Sequence, residues 1–330
     1  MRRREFIAGL GGALTAWPFS ARTQPSERVR RVGVLTLLPE TDPEQQAEET
    51  AFRRRLTELG WIDGRNIHID YRSAAGDLDR AKSFAKELIA LNPDVLVGVT
   101  TPVTAALQRE TKTIPIIFAV VSDPVGSGFV ASLSNPGGNI TGFINIEGSL
   151  AGKWVELMHD VAPSVSRVGI MYNPDIAPYA KYYVDIFRTA ASALSIAPVE
   201  GPVRDVAEVD AFMTRLGSET NSGCVLIPDT FLVAHRQTII AAAEHYRLPT
   251  IYPFGFFVRE GGLMSYGMDL SDLLRGAATY VDRILKGVKP DELPVQLPSK
   301  FELFVNLKTA TTQGIRIPQT VTARADEVIE

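Results

Sequence analysis

The chain has 330 residues, of which 45% are hydrophobic and 22% charged, and its formal net charge is -4 at pH 7. This length allows two domains of ordinary size, and the composition is that of a globular protein. The mildly acidic balance argues against a nucleic-acid-binding protein, which would show a basic surface. A single cysteine, Cys224, cannot form an internal disulfide, so cysteine content does not indicate the compartment.

The N-terminus has the layout of an export signal. The basic run Arg2-Arg3-Arg4 precedes a short apolar stretch, 6–17, and then a polar segment, 20–27. The apolar stretch is too short to span a bilayer, and this order of segments is typical of a secretory signal. Arg3-Arg4-Glu5-Phe6-Ile7 also fits a twin-arginine pattern. We therefore predict that residues 1–28 are an export signal and leader, that the protein is periplasmic, and that it is not a lipoprotein, because no cysteine follows the apolar stretch.

The first half of the chain alternates strand and helix patterns. Strands are predicted at 32–38, 67–71, 95–99 and 114–120, and helices at 44–59, 79–91 and 102–110. On the first helix Phe52, Leu56 and Leu59 share one face. Strands that alternate with helices of this length indicate βαβ units and a parallel sheet.

The second half repeats this alternation of strands and helices. Arg31–Thr36 (RVGVLT) returns as Arg167–Tyr172 (RVGIMY). Strands are predicted at 168–172, 197–203, 224–227 and 250–252, and helices at 153–161, 179–194, 206–216, 233–246 and 273–285. Segment 140–145 is predicted to be a short strand that crosses between the halves, and 261–267 is interpreted as the return crossing. A strand at 301–305 and a helix at 307–313 close the chain.

This duplication predicts an α/β fold of two Rossmann-like lobes with parallel sheets, joined by a multi-strand hinge. We predict that lobe one comprises 29–141 with about 266–292, and lobe two 142–265 with about 293–330. A cleft between two lobes is where a ligand would bind.

In open parallel sheets, ligands bind beyond the carboxyl ends of the strands. In lobe one, Thr100, Thr101 and Pro102 follow a strand, with Thr101 as the expected N-cap and Pro102 as the first helical residue. Free N–H groups and the helix dipole there would attract a carboxylate. The alternative is an ordinary capped helix. Ser122 and Asp123 follow the next strand.

The strand ends of lobe two carry a different chemistry. Asn173 and Tyr179 follow one strand, Asp229 another, and Phe254 a third. A zwitterion with an apolar or aromatic side chain would complement both lobes, with Asp229 pairing its ammonium and aromatic rings covering its side chain. The alternatives are that the aromatics pack in the core and that Asp229 is only the N-cap of the next helix.

Catalytic motifs are missing from the sequence. Its four histidines are scattered, and it lacks the G-x-S-x-G, dinucleotide-binding and P-loop patterns. We therefore expect a binding protein that is not an enzyme and that uses no cofactor and no metal. A cleft enzyme would have only Asp123 and Asp229 as candidate catalytic groups. The alternative function is that of a ligand-sensing periplasmic receptor for a membrane signalling protein. Such a receptor would use the same pocket.

Several motifs resemble one family, the ABC-transporter substrate-binding proteins of the tryptophan/tyrosine-type group, which are periplasmic binding proteins of type I. The matching runs are RVGVLT at 31–36, ELGW at 58–61, GRNI at 64–67, NPDV at 92–95, SDPVG at 122–126, NPGGNITG at 135–142, GLMSYG at 262–267, LPVQ at 293–296, KFEL at 300–303 and NLKTA at 306–310. Together these motifs span essentially all of 29–330.

The resemblance implies a receptor that closes on a small solute, most often an aromatic or branched amino acid, and delivers it to an inner-membrane ABC permease. The family's pocket segments fall on Thr100–Pro102, Ser122–Pro124, Asn173, Asp229 and Tyr266-Gly267. Relatives often have alanine or glycine where this chain has Thr100, so its carboxylate site is expected to differ in detail. We expect a monomer that does not bind nucleic acid.

Overall fold

A computed structural model describes residues 28–145 and 147–330. The predicted export signal lies outside the described residues except for its last position. The described chain folds into two α/β lobes, each around its own sheet, as the duplicated sequence predicts. No helix among the described residues combines the length and apolar character needed to cross a membrane.

Lobe one is built on a parallel sheet with the strand order β2-β1-β3-β4-β5. Its elements are β1 (Arg30–Thr36), α1 (Pro43–Glu58), β2 (Ile67–Ser73), α2 (Leu78–Ala90), β3 (Val95–Val99), α3 (Thr101–Glu110), β4 (Ile116–Val121) and β5 (Ile140–Ile144). All residues of β3 and β4 are buried, as expected for central strands covered by helices on both faces.

Lobe two repeats this arrangement around a second sheet, in the order β12-β11-β10-β9-β8-β6-β7. Its first elements are α4 (Ser149–Val161), β6 (Arg167–Tyr172), α5 (Ala180–Ala193), β7 (Ala197–Pro202), α6 (Val206–Ser218), β8 (Ser222–Leu226), α7 (Thr230–Ala234), α8 (Arg236–His245), β9 (Thr250–Tyr252), α9 (Gly255–Arg259) and β10 (Met264–Met268). The strands from β7 to β10 are parallel.

The last part of the chain contributes to both lobes. Its elements are α10 (Leu270–Leu285), a 3-10 turn (Pro290–Glu292), β11 (Phe301–Asn306), α11 (Leu307–Gln313), α12 (Gln319–Thr322) and β12 (Glu327–Ile329). Helix α10 packs on α1 of lobe one. Residues 293–296 run beside β5, where the Gln296 N–H donates to the carbonyl of Gly142 at 2.9 Å. Strand β11 pairs antiparallel with β10 of lobe two, so the chain crosses between the lobes more than once. The residue boundaries of the two lobes stay a prediction.

Segment 140–145 is a strand, as predicted, and forms the edge strand β5 of the first sheet. Two other expectations from the sequence differ from the structure. The predicted crossing at 261–267 is largely strand β10 of the second sheet. The helix predicted at 233–246 is two helices, α7 and α8, because His235 between them leaves helical geometry (φ -105°, ψ 19°). Apolar spacing continues through both helices, so periodicity alone does not mark this break.

Candidate ligand-binding site

The carboxyl ends of the strands in the two lobes meet at the predicted cleft. The Ser122 hydroxyl, after β4, donates to Asn145 Oδ1 at 2.8 Å, directly after β5. The hydroxyl of Tyr179, just before α5, donates to the carbonyl of Pro228 at 2.7 Å. These two bonds hold the strand ends within lobe one and within lobe two, respectively. Ser122 also lies close enough to the Tyr179 hydroxyl to oppose the rise in its pKa, so the two strand ends approach each other at the base of the cleft.

Asp229 is the central acidic group on the lobe-two side. Its Oδ1 accepts the N–H groups of Phe231 (2.7 Å) and Leu232 (3.3 Å), so it is the N-cap of α7. Its Oδ2 accepts the N–H of Asn173 at 2.6 Å. The residue is only 2% exposed, and burial raises its pKa to about 6 although these three N–H donors oppose the shift.

The contacts of Asp229 leave it able to bind a cation. An ionised carboxylate offers about four acceptor positions, and backbone N–H groups fill three of those on Asp229. No Lys, Arg or His of the described chain pairs with it, and its raised pKa is the consequence of a buried charge without a cation. The N-cap interpretation and the ammonium interpretation are therefore compatible.

Asn173 and Tyr179 shape the loop around this carboxylate. Asn173 Oδ1 accepts the N–H groups of Asp175 (2.9 Å) and Ile176 (3.2 Å), which fixes the turn after β6. Its Nδ2 donates to the carbonyl of Arg204 at 3.3 Å. The pKa of Tyr179 is raised, first by burial and then by the charge of Asp229, so its hydroxyl stays a hydrogen-bond donor. Asn173 and Tyr179 thus hold the loop, and their polar atoms are largely used within the protein.

On the lobe-one side the start of α3 differs in detail from the sequence prediction. Thr100, and not Thr101, is the N-cap, so Pro102 is the second helical residue. Thr100 has φ +90°, a conformation that strongly disfavours a β-branched residue. Its side chain makes no capping bond, and its buried Oγ1 has no hydrogen-bond partner among the described residues. An uncapped helix start beside an unpartnered hydroxyl is a position suited to an anionic ligand group.

The other two lobe-one candidates have mainly structural contacts. Thr101 Oγ1 accepts the N–H of Ser122 at 3.4 Å, which ties the start of α3 to the end of β4. Asp123 Oδ1 accepts the N–H of Gly126 at 2.8 Å and closes the following turn. Asp123 is half-buried and lies at the rim of this turn.

Of the predicted aromatic residues, Phe254 follows β9 and Tyr266 lies within β10. Phe254 is buried and stacks on Phe256 with ring centroids 5.5 Å apart. Half-buried Tyr266 stacks on Phe301 at 6.2 Å. At Gly267 a Cβ atom would lie 1.8 Å from the carbonyl oxygen of Pro253, so only glycine fits this close approach. Phe254 belongs to the packed core, whereas the Tyr266 ring keeps some exposure.

Two further polar groups of this region were missed by the sequence reasoning. Gln45 and Glu48 on α1 are 4% and 3% exposed, and Gln45 Oε1 has no hydrogen-bond partner among the described residues. Burial, followed by the charges of Glu44 and Asp42, raises the pKa of Glu48 well above its usual range. The available signal was spacing, because Gln45 and Glu48 extend the buried stripe of Phe52 and Leu56 towards the N-terminus of α1.

The site therefore combines a buried carboxyl group in lobe two with an uncapped helix start and an unpartnered hydroxyl in lobe one. A carboxylate without a cation favours an ammonium group, and free N–H groups favour a carboxylate. Within 28–145 and 147–330, no group of three or more His, Cys, Asp or Glu side chains is arranged to hold a metal ion. The arrangement can bind a small solute that carries both charges.

Comparisons with known proteins agree with this architecture. The family model described as ABC transporter substrate binding protein matches residues 32–329. A curated tyrosine-binding protein of Clostridioides difficile (strain R20291) is 27% identical over 288 residues, covering 86% of this chain and 81% of that protein. A crystal structure of a conserved domain protein from Vibrio cholerae is 30% identical with a TM-score of 0.83, covering 91% of this chain and all of that one.

Two further solved structures differ in their ligand state. An ABC domain from Streptococcus pneumoniae in complex with L-Trp is 28% identical, covers 91% of this chain and 99% of its own, and has a TM-score of 0.83. A ligand-free, open substrate-binding protein with adhesive properties from Clostridium difficile is 26% identical with the same coverage and a TM-score of 0.71. The TM-score is higher for the first of these two structures. From the family match, its extent and the shared two-lobed fold, we conclude that this chain belongs to the family of ABC transporter substrate-binding proteins.

Proposed function

We propose that this protein binds a free amino acid with an aromatic or branched side chain in the cleft between its lobes and delivers it to an ABC permease. The observation that carries the proposal is Asp229, a buried carboxyl group with one acceptor position left and no cation partner in the described chain. A ligand ammonium would occupy that position and offset the cost of burying the charge.

Lobe one would hold the other end of such a ligand. The start of α3 offers N–H groups that no side chain caps, and Thr100 Oγ1 is buried without a partner. Both the N–H groups and the Thr100 hydroxyl can donate hydrogen bonds to a carboxylate. The half-exposed ring of Tyr266 would lie against the ligand side chain. Relatives described as binding tyrosine and L-Trp support an aromatic amino acid as the first ligand to test.

The proposal includes the location and the partners of the protein. We infer export to the periplasm from the basic and apolar segments at residues 1–28, with the twin-arginine route as the first to test. The protein would act as a monomer that meets the permease with ligand bound. It would release the solute chemically unchanged, because its role is binding and not catalysis.

Calorimetry on the protein from residue 29 onwards tests the ligand assignment. L-tryptophan and L-tyrosine should bind one per chain, whereas indole-3-propionate, which lacks the ammonium, and tryptamine, which lacks the carboxylate, should bind at least about tenfold more weakly. At a free concentration of 100 times its dissociation constant, a true ligand adds roughly 2.7 kcal/mol of stability. If indole-3-propionate binds as tightly as L-tryptophan, the role of Asp229 is refuted.

A variant and its matched control separate binding from folding. Asp229→Asn keeps an oxygen that can cap α7 but removes the charge, so it should weaken amino-acid binding by at least about tenfold. Asp205→Asn changes an exposed N-cap of the same lobe, on α6, and should leave affinity unchanged. Equal affinities of Asp229→Asn and wild type for L-tryptophan would contradict the ammonium assignment.

A further inference from the structure

An ion pair joins the two lobes away from the proposed amino-acid contacts. Asp42, which precedes α1 in lobe one, contacts Arg236 at the start of α8 in lobe two, with Oδ2 and Nη2 2.7 Å apart. The Asp42 side chain is 6% exposed and that of Arg236 is 15% exposed. A salt bridge that bridges two lobes at this depth forms only when the lobes are together.

Arg236 is held in place by lobe two alone. Its Nε donates to both carboxylate oxygens of Glu260, at 3.0 and 2.8 Å, and its Nη1 donates to the carbonyl of Val233 at 3.3 Å. Its guanidinium lies 5.5 Å from the centroid of the Phe256 ring, which stacks on Phe254. Since these contacts are all within lobe two, separation of the lobes leaves Arg236 oriented, with Nη2 directed to the cleft.

Asp42 is oriented just as firmly by lobe one. Its Oδ1 accepts the N–H of Glu44 at 2.9 Å and caps α1, which leaves Oδ2 for the arginine. Neither partner must lose much side-chain freedom when the lobes come together, and this removes the usual entropic cost of forming an ion pair. The positive charge of Arg236 also acts on half-buried Glu44 at the start of α1.

We propose that the Asp42–Arg236 ion pair stabilises the closed arrangement of the lobes, both with and without ligand, and thereby sets how slowly ligand is released. When the lobes open, Asp42 loses its contact with Arg236, whose charge Glu260 continues to neutralise in lobe two. Closing restores a short, charge-assisted hydrogen bond in a site largely shielded from water. The inference rests on the proposed function, since it takes the lobes to close over a solute bound between them, but it does not depend on the identity of that solute.

The test measures the distance between the lobes. Spin labels on cysteines introduced at Leu78 in lobe one and Val206 in lobe two report that distance by double electron–electron resonance; both positions are exposed. The native Cys224 is fully buried and would not take up label. In ligand-free protein, Asp42→Asn, which keeps a capping oxygen, and Arg236→Gln should each shift the population towards the longer distance.

A matched control comes from the same lobe. Arg188 on α5 pairs with Glu200 on the edge strand β7, entirely within lobe two, so Arg188→Gln removes an arginine–glutamate pair without changing the Asp42–Arg236 contact. We expect wild-type distances in Arg188→Gln and an intermediate distribution in Arg236→Lys, which keeps the charge but loses the planar fork. Circular dichroism and thermal melts confirm that each variant is folded before its distances are compared.

Release kinetics give a second readout. If L-tryptophan or L-tyrosine binds, its dissociation rate should rise roughly tenfold or more in Asp42→Asn and Arg236→Gln but not in Arg188→Gln. Identical distance distributions in wild type and both interface variants would overturn the proposal whichever ligand the cleft takes. An equal change in Arg188→Gln would also overturn it. Failure of both amino acids to bind would refute the proposed function and leave the distance measurement as the test of the ion pair.

Discussion

The buried carboxyl group of Asp229 predicts an unusual dependence of stability on pH. Burial raises its pKa from 3.8 to about 6 in the folded protein. Between these two values, the folded state keeps the proton while the unfolded state has lost it. The folded state therefore binds more protons, and the free energy of unfolding falls as pH rises through this window.

The magnitude follows from the size of the shift. A change of about two pKa units corresponds to about 3 kcal/mol at about 1.4 kcal/mol per unit. This contribution to stability is fully present below pH 4 and is lost as pH rises past about 6. Glu48, whose pKa is also raised by burial, adds a contribution of the same sign.

Asp229→Asn isolates the contribution of this one group, because asparagine does not titrate. Urea unfolding of ligand-free protein at several pH values from 4 to 7 gives the free energy of unfolding of each variant. The free energy of unfolding of wild type minus that of Asp229→Asn should decrease by about 2.4 kcal/mol between pH 4 and pH 7, because the unfolded carboxyl group is already partly ionised at pH 4. The variant itself is expected to be less stable at low pH, because its amide Nδ2 faces the N–H of Asn173 in place of an acceptor.

The control is Asp205→Asn, which changes an exposed capping aspartate on α6. A difference between wild type and Asp229→Asn that stays constant from pH 4 to pH 7 would refute the reasoning, since it would mean that Asp229 titrates alike in folded and unfolded protein. Saturation with an amino acid should shrink the pH dependence of wild type, because an ammonium beside Asp229 lowers its pKa again.

Three other outcomes are expected. Gly267→Ala should destabilise the protein by more than about 2 kcal/mol in urea unfolding, because the added Cβ would lie 1.8 Å from the Pro253 carbonyl oxygen; a loss below about 0.5 kcal/mol would contradict the geometry. Thr100→Gly should stabilise the ligand-free protein by about 1 kcal/mol by relieving the φ of +90°, while weakening ligand binding if Thr100 Oγ1 contacts the ligand; unfolding and calorimetry measure the two effects. Cys224 should resist a thiol reagent until the protein unfolds, since burial raises its pKa to about 12; labelling at the rate of a free thiol in native protein would contradict this.

Local sequence patterns were sufficient to predict the two-lobed α/β fold. Strands such as β3 and β9 begin and end where the apolar runs do, because a strand buried on both faces needs a continuous apolar run. The short elements α9 and β12 were not predicted, since each is shorter than the window over which periodicity can be recognised. The break at His235 was missed for a related reason, because the apolar spacing does not change there.

The sequence by itself determined which residues follow the strands, and so placed Thr100, Ser122 and Asp229 at the carboxyl edges of the sheets. Spacing on α1 aligns Glu48 with Phe52 and Leu56, but glutamate on a helix is most often solvent-exposed, so its burial was not predicted. The sequence could not pair Asp42 with Arg236, which lie 194 residues apart. Only the tertiary structure decided these points, because burial and contact across the cleft depend on how the two lobes come together.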